Sequence, residues 1–271
     1  MENEKTINLK GSEEKEVIVH GGKAYEFFKR FFDILLSGLV LLVFGWFILL
    51  IMLIKWLEDV NGKAYVLSIK EATKDTKDKY KQVAKDGKVY EVHLLPDPEG
   101  KKDPTVHGAI YTSTRIGKNG KPFKFHKIRS MCKGAEAMKA QLLSYGINEA
   151  DDPAFKLKND PRITRFGRFI RKTSLDELPQ NWDIFIGSLA IVGPRPPIPC
   201  EVDEYTSYQR HRLDVKGGLL CLWQIQKHRH QLSFDEWVKL DIEYIEHRSL
   251  WLDFKIIVMG FWRVLTDRSG E

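Results

Sequence analysis

Between positions 34 and 54 the chain carries no charged residue, and Ser37 is the only clearly polar side chain in the run. At about 1.5 Å per helical residue the run extends about 30 Å, the hydrocarbon thickness of a bilayer. It starts late for a cleaved signal peptide and is longer than a usual apolar signal core. Lys55, Trp56 and Glu58 follow it without a small-residue cleavage site. It therefore reads as a retained membrane helix over residues 23–60, behind an N-terminal tail of residues 1–22. Positive charge flanks both ends, with Lys23, Lys29 and Arg30 before the run and Lys55 after it. A single crossing with the N-terminus inside would put the rest of the chain outside. Alternatively the helix bends at Gly45, beside Trp46, and returns to the face it left.

Past the membrane run the pattern changes. Residues 61–108 are polar and lysine-rich, punctuated by Pro96, Pro98 and Pro104, with short strands expected over 64–69 and 88–95. This stretch reads as an insertion or subdomain. A strand at 109–111 leads into a turn at 117–120, and 123–128 alternates as its hairpin partner. Helical spacing follows over 134–144, 178–185, 234–246 and 250–265. In the third helix Phe234, Trp237, Leu240, Tyr244 and Ile245 fall near one face, opposite Asp235, Lys239 and Glu243, as core packing requires. The fourth is more apolar and is bordered by Lys255, Arg263 and Arg268, which suits a helix lying in a membrane interface or a buried one.

Composition adds a sign. The 271 residues include 43 Lys and Arg against 37 Asp and Glu, a net charge of +6 that suits a membrane surface, nucleic acid or a phosphorylated ligand. Cys132, Cys200 and Cys221 form no C-x-x-C pair, which argues against a disulfide framework or zinc knuckle and fits a reducing compartment. His228 and His230 lack the acidic or thiol companions of a metal site.

Candidate chemistry lies between residues 160 and 197. Arg162, Arg165, Arg168, Arg171 and Lys172 precede the adjacent acids Asp176 and Glu177, and cations beside a carboxylate pair suggest phosphate held next to a metal ion. Because basic residues surround an acidic pair instead of forming an uninterrupted stripe, no nucleic-acid partner is expected. Pro179 is tolerated only near a helix start, which would put Asp176 and Glu177 at a helix N-terminus. Ser174 to Glu177 also matches a capping box, which needs no catalysis. Likewise Gly193-Pro194-Arg195-Pro196 is either a rigid loop or a phosphate clamp.

Several separated motifs stand in one order: Lys29-Arg30-Phe31-Phe32-Asp33; Arg115-Ile116-Gly117-Lys118-Asn119-Gly120; Lys127-Ile128-Arg129-Ser130-Met131; the block from Asp160 to Gln180; Val192 to Pro196; and Leu222-Trp223-Gln224. Together they resemble the bacterial sugar transferase family, the small monotopic phosphoglycosyl transferases of polyprenyl-phosphate pathways. The resemblance implies transfer of a sugar-1-phosphate from a UDP-sugar to polyprenyl (undecaprenyl) phosphate, with release of UMP and Mg2+ as cofactor. Carried over by motif, Asp176 is the nucleophile and Glu177 helps hold the metal beside it. Arg171 and Arg195 bind phosphate, with Lys127 and Arg129 nearby, and Lys29, Arg30, Asp33 and Gly45 belong to the membrane anchor. The implied fold class is α+β and mainly helical. It has an N-terminal re-entrant membrane helix and, over residues 109–271, a cytoplasmic catalytic domain with a short β-hairpin and interfacial amphipathic helices. The implied place is the cytoplasmic face of the bacterial inner membrane, among membrane lipids, with a homo-oligomer left open. The family's usual Ser-Pro bend is absent, and Gly217-Gly218-Leu219-Leu220-Cys221 stands where Pro-Gly-Leu-Thr-Gly is common. These departures bear on sugar specificity more than on reaction class. An inactive membrane-anchored scaffold of the same fold is the alternative, and intact Asp176, Glu177, Arg171 and Arg195 speak against it.

Overall fold

A computed structural model describes residues 17–60, 65–96, 108–149, 155, 157, 159–227, 229 and 231–266. The two histidines at 228 and 230 lie outside the described residues. Helix α1, Lys23–Val60, is a single 38-residue helix that continues through Gly45, so the helical backbone is not interrupted there. Among the described residues it is the one helix long and apolar enough to cross a membrane. Its outward face is apolar, with Leu42 82% and Trp46 66% exposed.

Both halves of α1 rest on the domain that follows. Near its start, Lys29 pairs with Asp253 at 2.8 Å, Arg30 donates to the carbonyls of Ile184 and Phe185, and Asp33 accepts the amide of Ile191. Near its end, Ile51 packs with Ile128 and Ile170, and Thr164 donates to Glu58. Lys29, Arg30 and Asp33, expected as part of a membrane anchor, tie the start of α1 to the domain. Lys55, expected as a flanking charge, is fully buried and paired with Glu58 at 2.6 Å.

Strands β1 (Tyr65–Glu71), β2 (Lys81–Val83) and β3 (Val89–Pro96) form an antiparallel sheet in the order β1-β3-β2. Leu67 and Val92 from this sheet pack with Met138 and Leu142 of α2, Ala135–Ser144. Strands β4 (Ile110–Ile116) and β5 (Pro122–Ile128) form the expected hairpin, in register from Ile110 opposite Ile128 to Ile116 opposite Pro122. Asn119 and Gly120 turn it, both at positive φ.

Then come α3 (Arg165–Lys172), a 3-10 turn (Leu175–Glu177) and α4 (Gln180–Ile186). Strand β6 (Ala190–Val192) pairs in parallel with β7 (Gly218–Leu220) across the short helices α5 (Pro199–Asp203) and α6 (Ser207–Arg210). Helix α7, Phe234–His247, begins at a full capping box of Ser233 and Glu236 and buries Val238, Ile242 and Ile245 in the main core. Of α8, Leu250–Thr266, only a narrow strip containing Asp253 and Ile256 is buried. Trp251 (73% exposed), Phe254, Val258, Phe261 and Trp262 are exposed and give the helix an apolar outer face.

Candidate active site

The site begins with two glycines that permit close approach. A Cβ on Gly167 would stand 1.8 Å from the Ser130 carbonyl oxygen, so only glycine lets α3 lie against the end of β5. Thr164 caps α3 by accepting the Gly167 amide. One turn on, Arg171 donates through Nε to the Ser130 hydroxyl at 2.7 Å. Gly218 plays the same part beneath the proline-flanked loop, where a Cβ would meet the Gly193 amide nitrogen at 2.1 Å. That loop is held from three sides: Gly218 donates to the Pro194 carbonyl, Arg212 to that of Arg195, and Arg115 to that of Pro196. Arg195 itself is exposed.

Between these elements stand the two acids. Ser174 takes a left-handed φ of 54°, rare for a residue with a side chain, and makes no side-chain cap. The capping-box reading is therefore overturned. Glu177 does not turn back to its own helix; it receives Lys127 Nζ at 2.6 Å. The acids also do not lie in the first turn of an α-helix, since α4 begins only at Gln180. They occupy the separate 3-10 turn, which projects Asp176 inward, 7% exposed.

Burial raises the Asp176 carboxyl from 3.8 to about 6; Glu177 adds to the rise, while Lys127 and Arg171 oppose it. Burial also acts to raise Glu177, but Lys127, Arg195 and the almost fully buried Gln180 outweigh it and hold that carboxyl below its usual range. Thus the two neighbouring carboxyls are shifted in opposite directions, a division of the sort that sets acid, base and nucleophile roles apart. Burial and neighbouring Arg162 lower the Arg171 guanidinium, against the opposing pull of Asp176 and Asp160.

Of the residues expected here, Asp176, Glu177, Lys127, Arg171 and Arg195 come together. Arg129 does not join them: it is buried beside Glu58 at the far end of α1, and its backbone pairs with Ala109. The alternation of β5 puts Lys127 on the site, and Arg129 lies past the last paired residue, Ile128. Arg162, in the same basic block, is spent on a buried pair with Asp160 at 2.6 Å. Arg115 and Gln180 were missed as site residues. The signal for Arg115 was present in the hairpin, whose period of two aligns Tyr111, Ser113 and Arg115 with Lys127.

The sequence profile of the bacterial sugar transferase family matches residues 102–267, well over half of the chain. The chain belongs to the bacterial sugar transferase family. Among curated sugar transferases and related proteins it is 47% identical over 163 residues to the galactosyl transferase CpsE of Streptococcus agalactiae, covering 60% of this chain and 36% of that protein. It is 34% identical over 171 residues to the UDP-glucose:undecaprenyl-phosphate glucose-1-phosphate transferase of Klebsiella pneumoniae, covering 59% and 33%. With the exopolysaccharide production protein ExoY of Rhizobium meliloti it shares 34% over 163 residues, covering 59% and 72%. The chain thus matches about a third of the length of the first two relatives. All the residues assembled around Asp176 fall within the stretch that matches the sugar transferase profile.

Proposed function

We propose that this protein transfers a sugar-1-phosphate from a UDP-sugar to polyprenyl (undecaprenyl) phosphate, releasing UMP, at the cytoplasmic face of a bacterial inner membrane. The observation that carries the reading is the asymmetry of the acid pair: Glu177 is fixed on Lys127, whereas Asp176 is buried among cations with its carboxyl raised to about 6. Such a carboxylate is ionised at neutral pH and more basic than an ordinary one, which suits a nucleophile. An Asp176 oxygen attacks the sugar-linked phosphorus. The bond from that phosphorus to the bridging oxygen breaks, and its electron pair leaves with UMP. An oxygen of polyprenyl phosphate then attacks the same phosphorus and frees the Asp176 carboxylate. Arg171, Lys127 and Arg195 offset the phosphate charge that would otherwise repel Asp176.

Asp176 and Glu177 would hold Mg2+ through adjacent hard oxygens; among the described residues no group of three His, Cys or acidic side chains could enclose a metal on its own. Substrate phosphates and water would complete such a shell, as is usual for this ion. When bound there, Mg2+ supplies Lewis-acid withdrawal of charge from the phosphates.

The placement of α1 supports a helix that enters and leaves on the face where the domain sits. Asp33 and Glu58 both bond to that domain, yet they are separated by about 37 Å of helix at 1.5 Å per residue. A straight crossing would carry one of these ties through the hydrocarbon. The relatives' names include both galactosyl and glucose transfer, so the sugar is to be found by trial. A panel of UDP-sugars with polyprenyl phosphate and Mg2+ tests the reading. Release of UMP that requires the lipid acceptor for sustained turnover is expected, and no release from any of them would overturn it.

A further inference from the structure

Two guanidinium groups, those of Arg212 and Arg115, hold the loop that carries Arg195, and only Arg212 makes a salt bridge among the described residues. Arg212 pairs with the buried Asp241 at 2.8 Å and donates to the Tyr205 hydroxyl. Arg115 and Arg195 make no salt bridge among the described residues, and Arg195 is among the charges that act on Arg115. Burial and the Arg195 charge push the Arg115 guanidinium down to about 10, with only partial relief from Glu201, whose carboxylate is already accepting the Ile198 amide. Arg115 donates once, from Nη1 to the Pro196 carbonyl at 3.1 Å, and its buried Nε has no partner. A buried guanidinium that lies beside a second cation and keeps an unpaired Nε is costly unless an anion completes it.

Their position orders that anion against the chemistry. Arg115 and Lys127 stand over the same Phe125 ring, at 5.3 and 5.8 Å from its centroid. Lys127 is bonded to Glu177 at 2.6 Å, and Arg115 holds the Arg195 loop through the Pro196 carbonyl. The row therefore runs from Asp176 and Glu177 through Lys127 and the Phe125 ring to Arg115 beside the Arg195 loop. A diphosphate whose reacting phosphorus lies at Asp176 extends its other phosphate along this row. We infer that Arg115, with Arg195, binds the phosphate of the departing nucleoside monophosphate, making Arg115 a further substrate-binding residue. This rests on the transfer reaction proposed above.

The test is direct binding of UMP and of uridine to the full chain in detergent or nanodiscs, for wild type, Arg115→Gln and Arg115→Lys. Loss of a charge-assisted contact is expected to weaken UMP by about tenfold or more in Arg115→Gln, with a smaller loss in Arg115→Lys and uridine unchanged in both. A purely structural role would move both ligands together. UMP binding as in wild type, equal losses of UMP and uridine, or a wild type that does not bind UMP would each overturn the inference. Should Arg115→Gln not fold, the same comparison in Arg115→Lys decides. Wild-type protein is exposed to UDP-sugars in parallel. A phosphate-selective loss in Arg115→Gln without any UMP release by wild type would leave the nucleotide site standing and reject the transfer reaction.

Discussion

Replacing Asp176 by Asn is expected to stabilise the fold while abolishing turnover, because the residue is held against its own solvation preference. The rise of its carboxyl from 3.8 to about 6 means that the folded state disfavours the anion by about 3 kcal/mol relative to the unfolded chain. The sign follows from the direction of the shift. A carboxyl whose folded pKa is raised contributes fully below the unfolded value, and that contribution is lost as pH climbs through about 6. Asn does not titrate, so its advantage over the wild type grows from less than about 1 kcal/mol near pH 4 to about 3 kcal/mol above pH 7. For a chain of this size that is a Tm increase of about 6 to 12 °C at the higher pH. Thermal unfolding of both proteins in one detergent, followed by tryptophan fluorescence at several pH values, measures the difference. An Asn variant no more stable than wild type near pH 8, or one whose advantage does not shrink on acidification, would refute the burial account of Asp176.

Catalysis needs the Asp176 carboxylate, so kcat/KM with Mg2+ is expected to fall on acidification as that carboxyl protonates, and an Asp176→Asn variant that keeps wild-type kcat/KM would count against an Asp176 nucleophile. Arg195→Ala is expected to lower kcat by about a hundredfold with an unchanged melting temperature, and Arg195→Lys to recover part of it, since charge returns without bidentate geometry. Gly167→Ala places a methyl 1.8 Å from the Ser130 carbonyl and should cost about 3 kcal/mol or more, reading out as a large drop in Tm and loss of the Arg171 position. For topology, thiols introduced at Glu2 and Ser269 should react from the same side of the membrane in intact cells; labelling from opposite sides would exclude the re-entrant course.

Elements carried by local pattern were legible in the sequence, and those set by distant partners were not. The alternation at 123–128 found β5 to within a residue at its start, and the apolar spacing over 234–246 found α7 to within a residue at its end. Helix α3 escaped notice because Gly167 interrupts a basic stretch, and its helical role depends on the Ser130 carbonyl 37 residues away in the chain. Strands β6 and β7 hold three residues each and pair across a long connection, which no local window can anticipate. At the site the acids and the proline-flanked arginine were readable as residue types, but their geometry was not. Ser174 looked like a cap, whereas its left-handed backbone turns Asp176 inward and frees Glu177 for Lys127. Arg129 was expected beside Lys127 from the motif they share, but it lies past β5, buried beside Glu58 with its amide donated to the Ala109 carbonyl.

The central claim is a covalent phosphosugar on Asp176, and intact-protein mass spectrometry tests it most directly. Protein is exposed to a turned-over UDP-sugar with Mg2+ but without lipid acceptor, digested to locate the adduct, and then chased with polyprenyl phosphate. The expected result is a mass gain of one phosphosugar that maps to Asp176, vanishes on the chase and is absent from Asp176→Asn. A demonstrably active preparation that shows no such gain and follows sequential instead of ping-pong kinetics would contradict the covalent route, leaving direct transfer to the lipid phosphate with Asp176 as a metal ligand.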